Sequence, residues 1–133
     1  MSSLLIIDDD LRTAEALITL LRREGHEAEA VGDAGKALEH LRRHDPDLVL
    51  LDLGMPRVDG MDLLDALKDE PRFAGLRIAV LTGRDDPGTA ETARRLGACD
   101  FIEKGADWDS LYGRIKANLA DASAEPPPAT PFA

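Results

Sequence analysis

The sequence predicts a doubly wound α/β domain, a five-stranded parallel sheet in the order 2-1-3-4-5 flanked by five helices. Three observations predict it. Five short apolar runs alternate with five stretches of helical periodicity, the pattern of parallel strands joined by right-handed helical crossovers. Leu4–Ile7, Leu48–Leu51 and Ile78–Leu81 are apolar without interruption, as strands covered on both faces require. Ala28–Val31 and Phe101–Ile102 are shorter or more mixed and flanked by charge, which suits the two edges. With the second and fifth strands at the edges, 2-1-3-4-5 is the simplest order.

The helices follow from spacing. Leu11, Ala14, Leu17, Ile18 and Leu21 form the first apolar stripe, with Gly25 as its stop. Ala34, Ala37, Leu38 and Leu41 form the second. Met61, Leu64 and Leu67 form a shorter third, ended by Pro71, and Ala90, Ala93 and Leu96 a fourth, stopped by Gly97. Trp108, Leu111, Tyr112, Ile115 and Leu119 form the fifth. These stripes read as core. From about Asp121 the character changes: Ser123–Ala133 holds four prolines and almost no large apolar residue. The expected division is a folded domain over 1–120 and a disordered Pro-rich tail over 121–133.

Composition narrows the function classes. The chain of 133 residues fits one domain, and its net charge of −10 argues against nonspecific binding to nucleic acid or anionic lipid. Leu4–Ile7 is too short for a signal peptide or a membrane span, so a cytoplasmic location is expected, with no membrane partner. The single cysteine, Cys99, forms no internal disulfide and reads as a buried inert thiol.

The chemistry lies in carboxylates at strand ends. Asp8, Asp9 and Asp10 directly follow the first strand, and Asp52 ends the third. Taken singly, each has a structural reading as a helix cap or turn residue. Taken together, neighbouring strands about 4.8 Å apart gather Asp8, Asp9 and Asp52 around one small space. Three carboxylates there repel one another unless a cation joins them. The donors are all oxygen, which selects a hard ion such as Mg²⁺. Thr82 ends the fourth strand, one spacing from Asp52, and Lys104 follows the fifth, two spacings away. A short hydroxyl suffices at the nearer place and a long ammonium arm is needed at the farther one. Alone, Thr82 reads as a strand-end residue and Lys104 as a solvated lysine; the agreement of four strand ends is what singles them out.

With these residues in place, the chain resembles the receiver domain of two-component response regulators, the CheY-like family, over roughly Leu4–Leu119. The matching stretches are LLIIDDD (Leu4–Asp10), LVLLDLGMPRVDG (Leu48–Gly60), IAVLTG (Ile78–Gly83) and RLGACDFIEKG (Arg95–Gly105). The aspartate-x-x-Met-Pro-x-x-Asp-Gly pattern from Asp52 to Gly60 is the most specific of them, and Thr82 stands at the family's usual spacing from Asp52. The resemblance implies a flavodoxin-like fold and a role for each residue. Asp52 is implied as nucleophile and phosphate carrier. Asp9 and Asp52 are implied to touch Mg²⁺ directly, Asp8 largely through water, and the backbone carbonyl of Gly54 to complete the protein's share. Thr82 and Lys104 are implied to meet the phosphoryl group, and Thr82 with Phe101 to form the switch. Asp10 falls outside the acidic pair and reads as a helix cap. The implied partners are a histidine kinase or phosphotransfer protein and a downstream protein that meets the helix 4–strand 5–helix 5 face.

Two positions depart from the family's pattern. Gly105 replaces the usual proline after the lysine; a cis bond before a non-proline residue costs about 2.5–4 kcal/mol, so a trans bond and an altered loop are expected. Gly83 replaces a common alanine and loosens the turn after Thr82. His26, His40 and His44 read as surface histidines, and Arg42-Arg43 as a solvated pair. For Arg94-Arg95, beside Phe101, both a solvated face and an interface stand open.

The leading reading is a phosphoacceptor switch, not an enzyme, with at most slow self-dephosphorylation. The alternative is a pseudo-receiver that scaffolds partners without phosphorylation, against which the intact set Asp8, Asp9, Asp52, Thr82 and Lys104 counts. A Mg²⁺-dependent phosphatase with an aspartate nucleophile usually has a second acid two residues on, where this chain has Gly54.

Overall fold

The structure, a computed structural model, describes residues 2–53, 60–83, 87–104 and 107–122. Five strands alternate with five helices: β1 (Ser3–Ile7), α1 (Leu11–Arg23), β2 (Glu27–Val31), α2 (Ala34–Arg43), β3 (Leu48–Asp52), α3 (Gly60–Asp69), β4 (Ile78–Thr82), α4 (Pro87–Arg95), β5 (Asp100–Glu103) and α5 (Trp108–Ala122). The sheet is parallel in the order β2-β1-β3-β4-β5, so the expected central and edge strands are the observed ones. A 3₁₀ turn, Pro71–Phe73, follows α3 in addition to the five helices; Pro71 opens it, and Phe73 tucks into the core. The last helix reaches Ala122, into the first residues of the expected tail, and 123–133 lie outside the described residues.

The alternation of side chains along each strand splits the core in two. Leu5, Ile7, Val49, Leu51, Ile78 and Val80 face Ala37, Leu41, Leu64, Leu67 and Ala93 on the side of α2, α3 and α4. Leu4, Ile6, Leu48, Leu50, Ala79 and Leu81 face Ala14, Leu17, Leu21, Ile115 and Leu119 on the side of α1 and α5. Central strands buried on both sides cannot carry the alternating polar residues of a half-exposed sheet, which is why their sequences are solid apolar runs. Gly25 and Gly97 end α1 and α4 at φ +88° and +107°, a region that a side chain disfavours. Gly60 starts α3 so close to the end of β3 that an added Cβ would lie 3.0 Å from the Leu53 Cα. The Asp-Gly end of the most specific motif thus has a packing reason at its glycine.

Candidate functional site

Register brings the acids together. Ile7 pairs with Leu51 across β1 and β3, so the next residues, Asp8 and Asp52, leave the sheet side by side. Oxygens of Asp8, Asp9 and Asp52 lie within 4.8 Å of one another, with Asp8 and Asp52 buried and Asp9 exposed. Lys104 follows β5, and its backbone N–H donates to the Thr82 carbonyl at 2.7 Å, which fixes where its side chain starts. From there Nζ reaches Asp52 Oδ2 at 3.0 Å and Asp8 Oδ2 at 3.3 Å. Thr82 closes the end of β4 with 7% exposure. Asp10 caps α1, as expected: its carboxylate accepts from the backbone N–H groups of Arg12 and Thr13, and its own N–H donates to Asp8 Oδ1 at 2.9 Å. Gly54 and Gly105, with the peptide bond between Lys104 and Gly105, fall outside the described residues.

Electrostatics at the cluster are unbalanced. One ammonium faces two buried carboxylates. Burial pushes the Asp8 carboxyl above its usual range, and neighbouring Asp52 adds to this against the Asp10 N–H and Lys104. Burial also works against the Lys104 charge, but its hydrogen bonds and attraction to Asp52 and Asp8 outweigh that and hold it above the ordinary lysine value. A small pocket with all-oxygen donors and surplus negative charge suits a hard divalent cation; no nitrogen or sulfur ligand belongs to the group. A carboxylate with an ammonium at hydrogen-bond distance also suits transfer of an anionic group, because the ammonium can follow the incoming charge.

Phe101 lies two residues before Glu103, the β5 partner of Thr82, and pairs with Val80. Alternation puts Phe101, Val80 and Thr82 on one face of the sheet, and Phe101 is partly buried against the α2–α3–α4 core. Its N–H donates to Asp100 Oδ1 at 2.8 Å, and its carbonyl accepts from Arg114 Nη2 at 3.3 Å. The Asp100–Arg114 ion pair and buried Asn118, whose Nδ2 donates to Asp100 at 2.9 Å, clasp β5 to α5. Sequence reading missed this clasp. Asn118 was the available signal, an amide on the apolar face of the fifth helix. Cys99 donates to Asn118 Oδ1 at 3.3 Å, and burial pushes its thiol up to about 11, in keeping with an inert role.

Two of the three histidines depart from the surface reading. His26 Nε2 lies 2.7 Å from the Tyr112 hydroxyl, and His40 Nε2 lies 2.5 Å from Glu29 Oε2, both rings partly buried. Each sits on a polar helix end in the sequence, but His26 meets Tyr112 of α5 and His40 meets Glu29 of β2 once the elements pack. His44 is exposed.

Comparison with known proteins agrees with this geometry. The family model described as the response regulator receiver domain matches residues 4–116. The DNA-binding response regulator MtrA of Mycolicibacterium paratuberculosis is 36% identical over 123 residues, 92% of this chain and 53% of that protein. The sensory transduction protein RegX3 of Mycolicibacterium smegmatis is 36% identical over 119 residues, 90% of this chain and 51% of that protein. The chain thus spans about half the length of these curated relatives. Among solved structures, a putative response regulator from Chloroflexus aurantiacus superposes with TM-score 0.82 at 31% identity, covering 90% of this chain and 98% of that one. A CheY-like receiver domain protein from Methanospirillum hungatei gives TM-score 0.84 at 26% identity, covering 94% and 98%. With the family model covering nearly all of the folded part, the chain belongs to the response regulator receiver domain family.

Proposed function

We propose that this chain is a phosphorylation-driven switch in which Asp52 accepts a phosphoryl group from a partner's phosphohistidine. The observation that carries the reading is the convergence of Asp8, Asp9 and Asp52 beneath the Lys104 ammonium. An Asp52 carboxylate oxygen attacks phosphorus as the P–N bond of the donor breaks. The bonding pair leaves with the imidazole, which takes up a proton from solvent, and an acyl phosphate remains on Asp52. Asp8, Asp9 and Asp52 would hold Mg²⁺, with the backbone carbonyl of Gly54 implied by the family resemblance as a further donor, and the ion would supply charge neutralisation for the phosphoryl oxygens. Lys104 turns from Asp52 to a phosphoryl oxygen, and the Thr82 hydroxyl donates to another.

The protein has at most slow self-dephosphorylation and no turnover on an outside substrate. A histidine kinase or phosphotransfer protein supplies the phosphoryl group, and the α4–β5–α5 face meets a downstream protein. The net charge of −10 supports an output without direct nucleic-acid contact by this domain. Among the described residues no helix is long and apolar enough to cross a membrane. Residues 1–120 act as the receiver unit and 121–133 as its Pro-rich tail, with α5 continuing past that line.

Incubation with acetyl phosphate and Mg²⁺, read by intact mass, tests this. One phosphoryl group is expected, and none after Asp52→Asn. A folded wild type that takes no label and does not respond to beryllofluoride would be a scaffold instead.

The switch runs through Thr82 and Phe101, diagonal neighbours on one face. Drawn toward the phosphoryl group, Thr82 vacates space, and Phe101 turns inward to fill it, because a void in a packed interior forfeits contacts. Phenylalanine has no hydroxyl to hold it at the surface. Ring signals of Phe101 are expected to move from partly exposed to buried on adding beryllofluoride, and to stay put in Thr82→Ala. An unchanged Phe101 rotamer in wild type would exclude this relay.

A further inference from the structure

All three histidines of the chain line one cleft of ≈690 Å³ at the edge strand β2, together with Glu29 and Asp45. The cleft lies at the N-terminal end of the strands, where Ser3 pairs with Glu27, opposite the aspartate cluster. We propose that His40, His44 and Glu29 form a second cation site, one that takes a borderline transition ion such as Zn²⁺ in preference to Mg²⁺. This proposal does not depend on the phosphoryl-transfer reading.

Spacing supplies the first argument. His40 stands in the last turn of α2, and His44 follows one turn later as its C-terminal cap, so both imidazoles fall on one side, with ring centroids 4.5 Å apart. A third donor comes from the neighbouring strand, where Glu29 Oε2 lies 2.5 Å from His40 Nε2. Two imidazoles and a carboxylate suit Zn²⁺, Ni²⁺ or Cu²⁺, whereas Mg²⁺ prefers oxygen alone.

Burial shows which groups must move. The His40 side chain is only 16% exposed and holds its place, while Glu29 at 65% and His44 are exposed and can rotate. Among the described residues the aspartates are the three acidic or imidazole groups whose donor atoms already gather within 4.8 Å, so the histidine site closes on its ion. With metal–nitrogen and metal–oxygen bonds of about 2.0–2.2 Å in tetrahedral geometry, nitrogen and oxygen stand about 3.3 Å apart. Glu29 therefore retreats by roughly 1 Å as the ion replaces the proton between it and His40.

One feature limits affinity. Ligation through Nε2 leaves the His40 proton on Nδ1, which is buried without a hydrogen-bond partner. An unsatisfied buried donor weakens binding by roughly 10- to 100-fold relative to a site whose second nitrogen is partnered. Binding in the micromolar range, not tighter, is the expectation.

The test uses the untagged full chain with Mg²⁺ at ~10 mM to occupy the carboxylate cluster. Zn²⁺ is titrated by calorimetry and by NMR of the imidazole signals. One equivalent is expected to bind, with His40 and His44 signals moving together. His44→Gln, at an exposed position, is expected to weaken binding by about tenfold or more, as one lost ligand should. His40→Gln is the second variant, and a urea melt of either variant, followed by circular dichroism, reports that the fold is intact. Three outcomes would overturn the site: no Zn²⁺ binding, binding that His44→Gln leaves unchanged, or binding lost only in Asp52→Asn.

Discussion

Lys104→Met is expected to destabilise the metal-free protein by about 2–3 kcal/mol at neutral pH, below the 3–5 kcal/mol typical of a fully buried broken pair. The discount reflects a lysine side chain that is 25% exposed. The substitution keeps the apolar stem but leaves Asp8, with no exposure, and Asp52 facing each other without a cation. The pH dependence follows from Asp8. Its folded pKa is raised, so its burden is absent in acid and grows as pH rises through the folded value. Removing Lys104 raises that value further. The deficit of the variant should therefore shrink as pH falls into the upper carboxylate range. It should also fade at high pH, where wild type loses the contribution of its own ammonium above the ordinary lysine value. Mg²⁺ should restore part of the loss at neutral pH. Urea melts across pH, with EDTA and with Mg²⁺, measure all of this; a variant within about 0.5 kcal/mol of wild type in EDTA would mean that the Lys104 contacts contribute no more than a surface pair.

Asp52→Asn has the opposite sign. It should abolish labelling yet stabilise the metal-free protein. Three carboxylates with no metal cost stability, and charge repulsion alone suggests a gain of about 1–2 kcal/mol, since one pKa unit is about 1.4 kcal/mol. The hydrogen bond from Lys104 to Asp52 offsets part of that, so about 1 kcal/mol is expected. The amide keeps the shape and leaves Asp8 and Lys104 as a balanced pair. Because the gain comes from relieving an ionised Asp8, it should fall away in acid as Asp8 takes up its proton. Wild type should gain stability as Mg²⁺ rises, following its binding curve, and the variant should gain less. A destabilised variant with an unchanged Mg²⁺ response would make Asp52 a structural cap and remove the basis of the site.

The sheet, its strand order and the membership of the acidic cluster are legible in the amino-acid pattern. Solid apolar runs at Leu48–Leu51 and Ile78–Leu81 need helices on both faces, so position in the sheet is written in the pattern. A carboxylate, a hydroxyl and an ammonium at successive strand ends then have one shared edge to occupy. Which acid is buried is settled only by packing. Asp8 and Asp9 are adjacent and chemically alike, yet Asp8 is buried, its Oδ1 accepting from the Asp10 N–H, and Asp9 is exposed. Nor could periodicity show that the Phe101 backbone is clasped by Asp100 and Arg114, or that the His40 ring is held under Glu29. The Arg114 and Glu29 contacts join residues on different elements, and side-chain reach across a crossover leaves no trace in local spacing. Local pattern records which face of an element is buried, whereas the partner of a polar group is fixed only when the elements pack.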